Sequence, residues 1–126
     1  MRAQKTLLVV DDRSQLKNCK AALEQSGYAV LTARSARQGL KLISSTPVDA
    51  VVVDFATIQA LQGQLIAAQL RHRNPRLPIL MTGTGAALPE SALNWADGFI
   101  DNRNCPEFLA MAIDLLLRRE RRVSAA

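Results

Sequence analysis

The sequence predicts an α/β fold built on a parallel sheet, and three observations predict it. The first is the run AVVVDF, residues 50–55, in which Ala50 through Val53 and Phe55 are apolar and Asp54 is the one carboxylate. A β-branched run without alternation reads as a strand buried on both faces. The second is a like run, KTLLVV, residues 5–10, which ends in Asp11-Asp12. The third is the alternation of such runs with segments of helical spacing, β-α five times over. That alternation implies a parallel sheet with right-handed crossovers and helices on both faces.

Each element has its own signal. After the 5–10 strand, Leu16, Cys19 and Leu23 fall on one helical face, and Gly27 ends that helix as a C-terminal cap. Residues 28–33 (YAVLTA) read as the second strand. Ser35 suits the N-cap of the next helix, whose apolar face holds Ala36, Leu40 and Ile43. Pro47 ends that segment before AVVVDF. Residues 56–60 read as a loop. Leu61, Leu65 and Ala68 mark a third helix ending near Asn74-Pro75. Residues 77–81 form the fourth strand, closing on Thr82-Gly83. A short fourth helix over about 89–94 precedes a brief fifth strand, 98–101. Pro106 suits the first turn of the last helix, with Leu109, Ala112, Ile113 and Leu116 inward.

Composition bounds the function. With 126 residues and 48% hydrophobic content, the chain has enough for one core. One domain is therefore expected over 1–126, with its core at about 5–118 and a basic tail at about 119–126. No output domain is expected within it. No apolar run is long enough to span a bilayer. The N-terminus is no signal peptide, because Asp11 and Asp12 interrupt the apolar run directly after LLVV. A cytoplasmic protein without membrane contact is expected. Cys19 and Cys105 fit no metal-ligand spacing and read as reduced thiols. The net charge of +5 owes much to RHRNPR (71–76) and RRERR (118–122). Few aromatics accompany these runs, so they read as solvated helix ends and no direct nucleic-acid role is expected. His72 belongs to the first run and reads the same way. Trp95 fits the core and a partner surface equally well.

The chemistry lies at the strand ends. In a parallel sheet Asp11-Asp12, Asp54 and Thr82 come to the same edge, the one where open α/β sheets bind ligands. Carboxylates brought together repel, and a hard divalent cation relieves that repulsion. Magnesium needs only one or two direct carboxylates because it keeps several waters. A metal beside a carboxylate and a hydroxyl is equipment for phosphoryl transfer. The plain structural reading of Asp11-Asp12 is an acid pair at a helix N-terminus.

The motifs LLVVDD, AVVVDF, PILMTG and GFID, in this order, resemble the receiver domain of two-component response regulators. The resemblance runs from about residue 5 to 118. It implies the flavodoxin-like (βα)5 doubly wound fold with strand order 2-1-3-4-5. By that resemblance Asp54 is the phosphoacceptor and itself a Mg2+ ligand, Asp12 binds Mg2+ directly, Asp11 binds it mostly through water, and the main-chain carbonyl of Ala56 is a further ligand. Thr82 stands for the hydroxyl that turns toward the phosphoryl group, and Phe99 for the aromatic that moves with it. The partners implied are a histidine kinase or phosphotransfer protein and an output partner the sequence does not name. A homodimer through the side made by the fourth helix, fifth strand and fifth helix is a candidate assembly.

Departures from the family pattern cluster on that side. Asn102-Arg103 stand where the family has a Lys-Pro pair, so the phosphoryl group loses a cationic partner. Without proline the peptide bond should be trans, because a cis bond would cost about 2.5–4 kcal/mol, and the loop should be reshaped. Thr57-Ile58 replace Met-Pro, the helix-starting glycine is displaced to Gly63, and Trp95 stands where glycine is usual. The segment between Thr82 and Phe99 is about two residues short. Arg13 replaces an acid. Cys105, before the last helix, reads as a small capping-region residue. The function expected is phosphoryl acceptance on Asp54, not an enzymatic activity. The alternative is a pseudo-receiver that serves as an interaction or dimerisation module. A flavodoxin-like small-molecule binder lacks the Gly-rich phosphate loop after strand one.

Overall fold

A computed structural model of the chain describes residues 4–12, 16–58, 60–83, 94–104 and 107–125. Five strands, β1 (Thr6–Val10), β2 (Ala29–Ala33), β3 (Ala50–Asp54), β4 (Ile79–Gly83) and β5 (Gly98–Asp101), form one sheet in the order β2-β1-β3-β4-β5. Every pairing is parallel. The order is the doubly wound one expected. Among the described residues four helices cover the sheet: α1 (Leu16–Gln25), α2 (Ala36–Ser45), α3 (Ala60–Arg73) and α4 (Leu109–Ala125).

Side chains alternate across each strand and so divide the core into two layers. Leu8, Val10, Val51, Val53, Ile79 and Met81 pack with Ile66 and Leu70 of α3 and with the apolar face of α2. Leu7, Val9, Ala50, Val52, Leu80 and Ile100 pack on the other face with Cys19 and Leu23 of α1 and Leu109, Ile113 and Leu117 of α4. Burial on both faces is what the unbroken apolar runs announced.

Two helix caps follow the sequence closely. Gly27 has φ +98°. The Gly27 N–H donates to the Glu24 carbonyl and the Tyr28 N–H to the Leu23 carbonyl, which is a Schellman motif. At the start of α2 the Gln38 N–H donates to Ser35 Oγ at 3.1 Å, and Gln38 Oε1 accepts from the Arg34 N–H at 2.7 Å. This reciprocal cap starts α2 where Ser35 predicted.

Other expectations need correction. Residues 56–58 are not loop: a single helical turn, Phe55–Ile58, follows β3 directly. The buried face of α3 is Ile66, Ala67 and Leu70, while Leu65 is 61% exposed and Ala68 is also exposed. The run Leu65-Ile66-Ala67-Ala68 is apolar at every position, so spacing alone could not choose the face, and packing against Val51 and Ile79 did. β4 begins at Ile79, two residues late, because Asp97 holds its start. Asn94 lies in a turn with Trp95. The rest of the expected fourth helix, with Arg13, Cys105 and Pro106, lies outside the described residues. Trp95 belongs to the core, 7% exposed, and its indole Nε1 has no hydrogen-bond partner among the described residues.

Two aspartates just ahead of strands work alike. Asp49 donates its N–H to the Thr6 carbonyl and accepts from the Thr6 N–H on Oδ2 at 2.7 Å. Asp97 does the same with Ile79, and its Oδ2 also takes Arg71 Nη2 at 2.7 Å. Each carboxylate thereby aligns the start of a neighbouring strand. Asp97→Ala should cost about 1–3 kcal/mol, the range for leaving a part-buried N–H unpaired. Urea unfolding should show a lower midpoint with unchanged slope; an unchanged midpoint would remove Asp97 from this role.

Candidate functional site

The C-terminal edge of the sheet carries the site. Asp54 is the last residue of β3 and pairs in register with Thr82 of β4. Both side chains are buried, Asp54 at 1% exposure and Thr82 at 4%. Neighbours in register project to the same face, so the Thr82 hydroxyl reaches Asp54 and donates to Oδ1 at 3.1 Å. Asp11 lies one residue beyond β1. Its N–H extends the ladder to the Ala33 carbonyl at 2.9 Å, and its side chain is 5% exposed. Because Val10 pairs with Val53, Asp11 follows β1 alongside the strand that ends in Asp54. Asp12, past the last ladder bond, is exposed. Ala56 is exposed on the helical turn directly after Asp54.

Among the described residues no three His, Cys, Asp or Glu side chains are gathered as a metal cage. Of the three strand-end carboxylates, Asp11 and Asp54 are buried and Asp12 is exposed. The donor set still fits magnesium. It is all hard oxygen, and magnesium needs few direct protein ligands.

Phe99 sits on the opposite face from Thr82. It pairs with Met81 in β4, shares that residue's side of the sheet and packs half-buried on the core there. A Cβ placed on Gly83 would lie 3.3 Å from Phe55 Cβ and 3.7 Å from Phe99 Cε2. The bare Gly83 thus leaves room for the Phe99 ring close to Phe55, the residue after Asp54. Sequence reading stopped at Thr82 and missed this; a glycine ending a buried strand is the signal that could have found it.

The chain turns directly after β5, through the 3-10 turn Asn102–Asn104. Arg103 folds back on the end of β5: Nε donates to Asp101 Oδ1 at 3.1 Å and Nη2 to Oδ2 at 3.2 Å. The Arg103 N–H also donates to Oδ1, at 2.9 Å. These hydrogen bonds, and then the attraction of the charges, raise the guanidinium pKa above its ordinary value. The Asp101 fork thus ties the Arg103 side chain to the end of β5. The Asn102 side chain lies outside the described residues. His72 is exposed at the end of α3 and Cys19 is buried, both as expected.

The chain matches the family described as the response regulator receiver domain over residues 6–99. It belongs to that family. Over 116 residues this receiver domain is 33% identical to the response regulator MprA of Mycolicibacterium vanbaalenii, covering 90% of this chain and 50% of that protein. It is 29% identical over 85 residues to the transcriptional regulatory protein GlrR of Escherichia coli, covering 68% of this chain and 19% of that one. The chain therefore spans half of the first relative and far less of the second. A CheY-like receiver domain from Methanospirillum hungatei superposes with a TM-score of 0.82 at 26% identity, covering 95% of this chain and 98% of that one. The receiver domain from Clostridium thermocellum gives 0.78 at 26% identity, covering 94% and 98%. Phosphoryl acceptance is the general function of this two-component family, and its receivers generally bind Mg2+ and imply histidine kinases and output domains as partners. No helix among the described residues is long and apolar enough to cross a membrane.

Proposed function

We propose that this receiver domain accepts a phosphoryl group on Asp54 from a histidine kinase or phosphotransfer protein. The buried Asp54–Thr82 hydrogen bond carries the reading, since it sets a hydroxyl beside the one strand-end carboxylate of β3. An Asp54 oxygen attacks phosphorus as the nitrogen–phosphorus bond of the donor phosphohistidine breaks, and the imidazole nitrogen keeps the electron pair. Thr82 then has its hydroxyl within reach of a phosphoryl oxygen. Asp11, Asp12, Asp54 and the Ala56 carbonyl are the groups that would hold Mg2+. When bound, the cation neutralises charge on the phosphoryl oxygens. The domain, with its core at 5–118, works in the cytoplasm as a signalling element and not as an enzyme. The exposed Phe108, just ahead of α4, and Met111 and Leu115 on it support the β5–α4 side as the surface that meets an output partner or a second copy.

Mass spectrometry after incubation with Mg2+ and a small acyl phosphate tests the reading. One phosphoryl group should add, and it should be lost in mild base. The absence of any adduct would sink it. Magnesium titration followed by NMR should saturate, with shifts at Asp11 and Ala56. Asp12→Ala should weaken binding about tenfold or more. An unchanged affinity in that variant would take Asp12 out of the metal site.

A further inference from the structure

The seam between α2 and α3 is a groove with a charge of its own. Two cavities lie in line along it. One, of about 370 Å³, is lined by the cap residue Ser35 with Arg37 and Leu40 of α2 and by Leu65, Ile66 and Gln69 on α3. The other, of about 330 Å³, continues below it between Ile43 and Val48 on one side and Leu70, Arg73 and Leu77 on the other. Aliphatic side chains therefore run the length of the groove, with Ser44, Ser45, Thr46 and Asn74 among them in the second cavity. Leu65 rises from it 61% exposed, one of four large hydrophobics exposed among the described residues.

The charged residues that line the two cavities are both cations, Arg37 in the first and Arg73 in the second. The surrounding sequence, residues 34 to 76, adds Arg34, Lys41, Arg71 and Arg76 against only Asp49 and Asp54. Neither acid offsets the groove: Asp49 holds the start of β1, and Asp54 is buried in the phosphoacceptor site. Arg71 is taken by Asp97, but Arg34, Arg37, Lys41 and Arg73 stand exposed.

We infer that the α2–α3 groove is a docking surface for an acidic amphipathic helix of a partner protein. An aliphatic floor between two parallel helices receives apolar side chains spaced at i, i+3, i+4 and i+7. A basic rim speeds and orients the approach of acidic flanks and rejects basic ones. Charge decides against a second copy, because the chain carries +5 and its own exposed apolar helix, α4, runs into Arg118 and Arg119. The floor decides against nucleic acid, since the cavities present Leu, Ile and Val and no aromatic ring on which a base could stack.

The test uses the full chain labelled with nitrogen-15 and a synthetic amphipathic helix with leucines at i, i+3, i+4 and i+7 and glutamates on both flanks. Amide shifts should saturate and map to residues of α2 and α3. Leu65→Glu should weaken binding about tenfold or more, and so, separately, should the double change Arg37→Glu with Arg73→Glu. Both sites are exposed, and an unchanged melting temperature will show that the fold survives. The same peptide with lysine for glutamate should give no shifts. Shifts that map elsewhere, no saturation, or full affinity in Leu65→Glu would overturn the inference. Tighter binding of duplex DNA at equal salt would overturn it in favour of nucleic acid. Self-association abolished by Leu65→Glu would overturn it in favour of a second copy.

Discussion

Asp54→Asn should reduce phosphoryl labelling to background. The amide oxygen can still accept the Thr82 hydroxyl, so the buried pair at 3.1 Å survives in outline. What disappears is the anionic nucleophile, and no neighbour can stand in. Asp11 lies on another strand, and Asp12 is on the solvent side. The same change should raise stability, because one of two buried acids at a shared edge becomes neutral while the hydrogen bond is kept. Asp54→Ala should do the opposite, leaving the buried Thr82 hydroxyl unpaired at a cost of about 1–3 kcal/mol. Intact-mass analysis with a small phosphodonor reads the first effect, and urea unfolding the other two. A base-labile phosphoryl adduct on Asp54→Asn would show that the nucleophile is elsewhere.

A phosphoryl mimic should fill the site and leave the Thr82–Phe99 region nearly unmoved. Three observations support this. Thr82 already bonds Asp54, Phe99 is already half-buried near Gly83 and Phe55, and Arg103 is already held by Asp101. A ligand shifts a conformational equilibrium only by its differential affinity for the two states. By the family resemblance Asn102 stands at the lysine position, and on that reading a charge-assisted contact of about 1.5–3 kcal/mol is missing from that difference. Asn102→Lys should enlarge the response about tenfold or more in population. Asp101→Asn, which weakens the fork on Arg103, should enlarge it too. NMR shifts at Phe99 and the buried Trp95, with and without the mimic, measure both. Equal and complete shifts in the unmutated chain and in Asn102→Lys would show that coupling does not depend on this charge.

These two results rest on different kinds of information. By itself the sequence determined the parallel sheet, its order through the family resemblance, and the edge at which Asp11, Asp54 and Thr82 meet. Unbroken apolar runs admit one reading when both faces are covered, and a polar residue at the end of such a run has nowhere to sit but the edge. Caps were equally legible, because Gly27 and Ser35 act through local backbone geometry alone.

Only the tertiary structure decided the rest. The inward face of α3 turned on packing, since Leu65 and Ile66 are equally apolar and only Ile66 meets the core. The burial of Trp95 depended on contacts from residues distant in the chain. Asp12 left the buried acids because the β1 ladder ends at Asp11, a limit set by β2 rather than by the Asp pair. The Asp101–Arg103 fork formed because the chain turns tightly after β5 and brings two residues of opposite charge, two positions apart, to the same side. In each case the deciding partner lies on another element or in the path of a loop, and spacing along one segment carries no record of it.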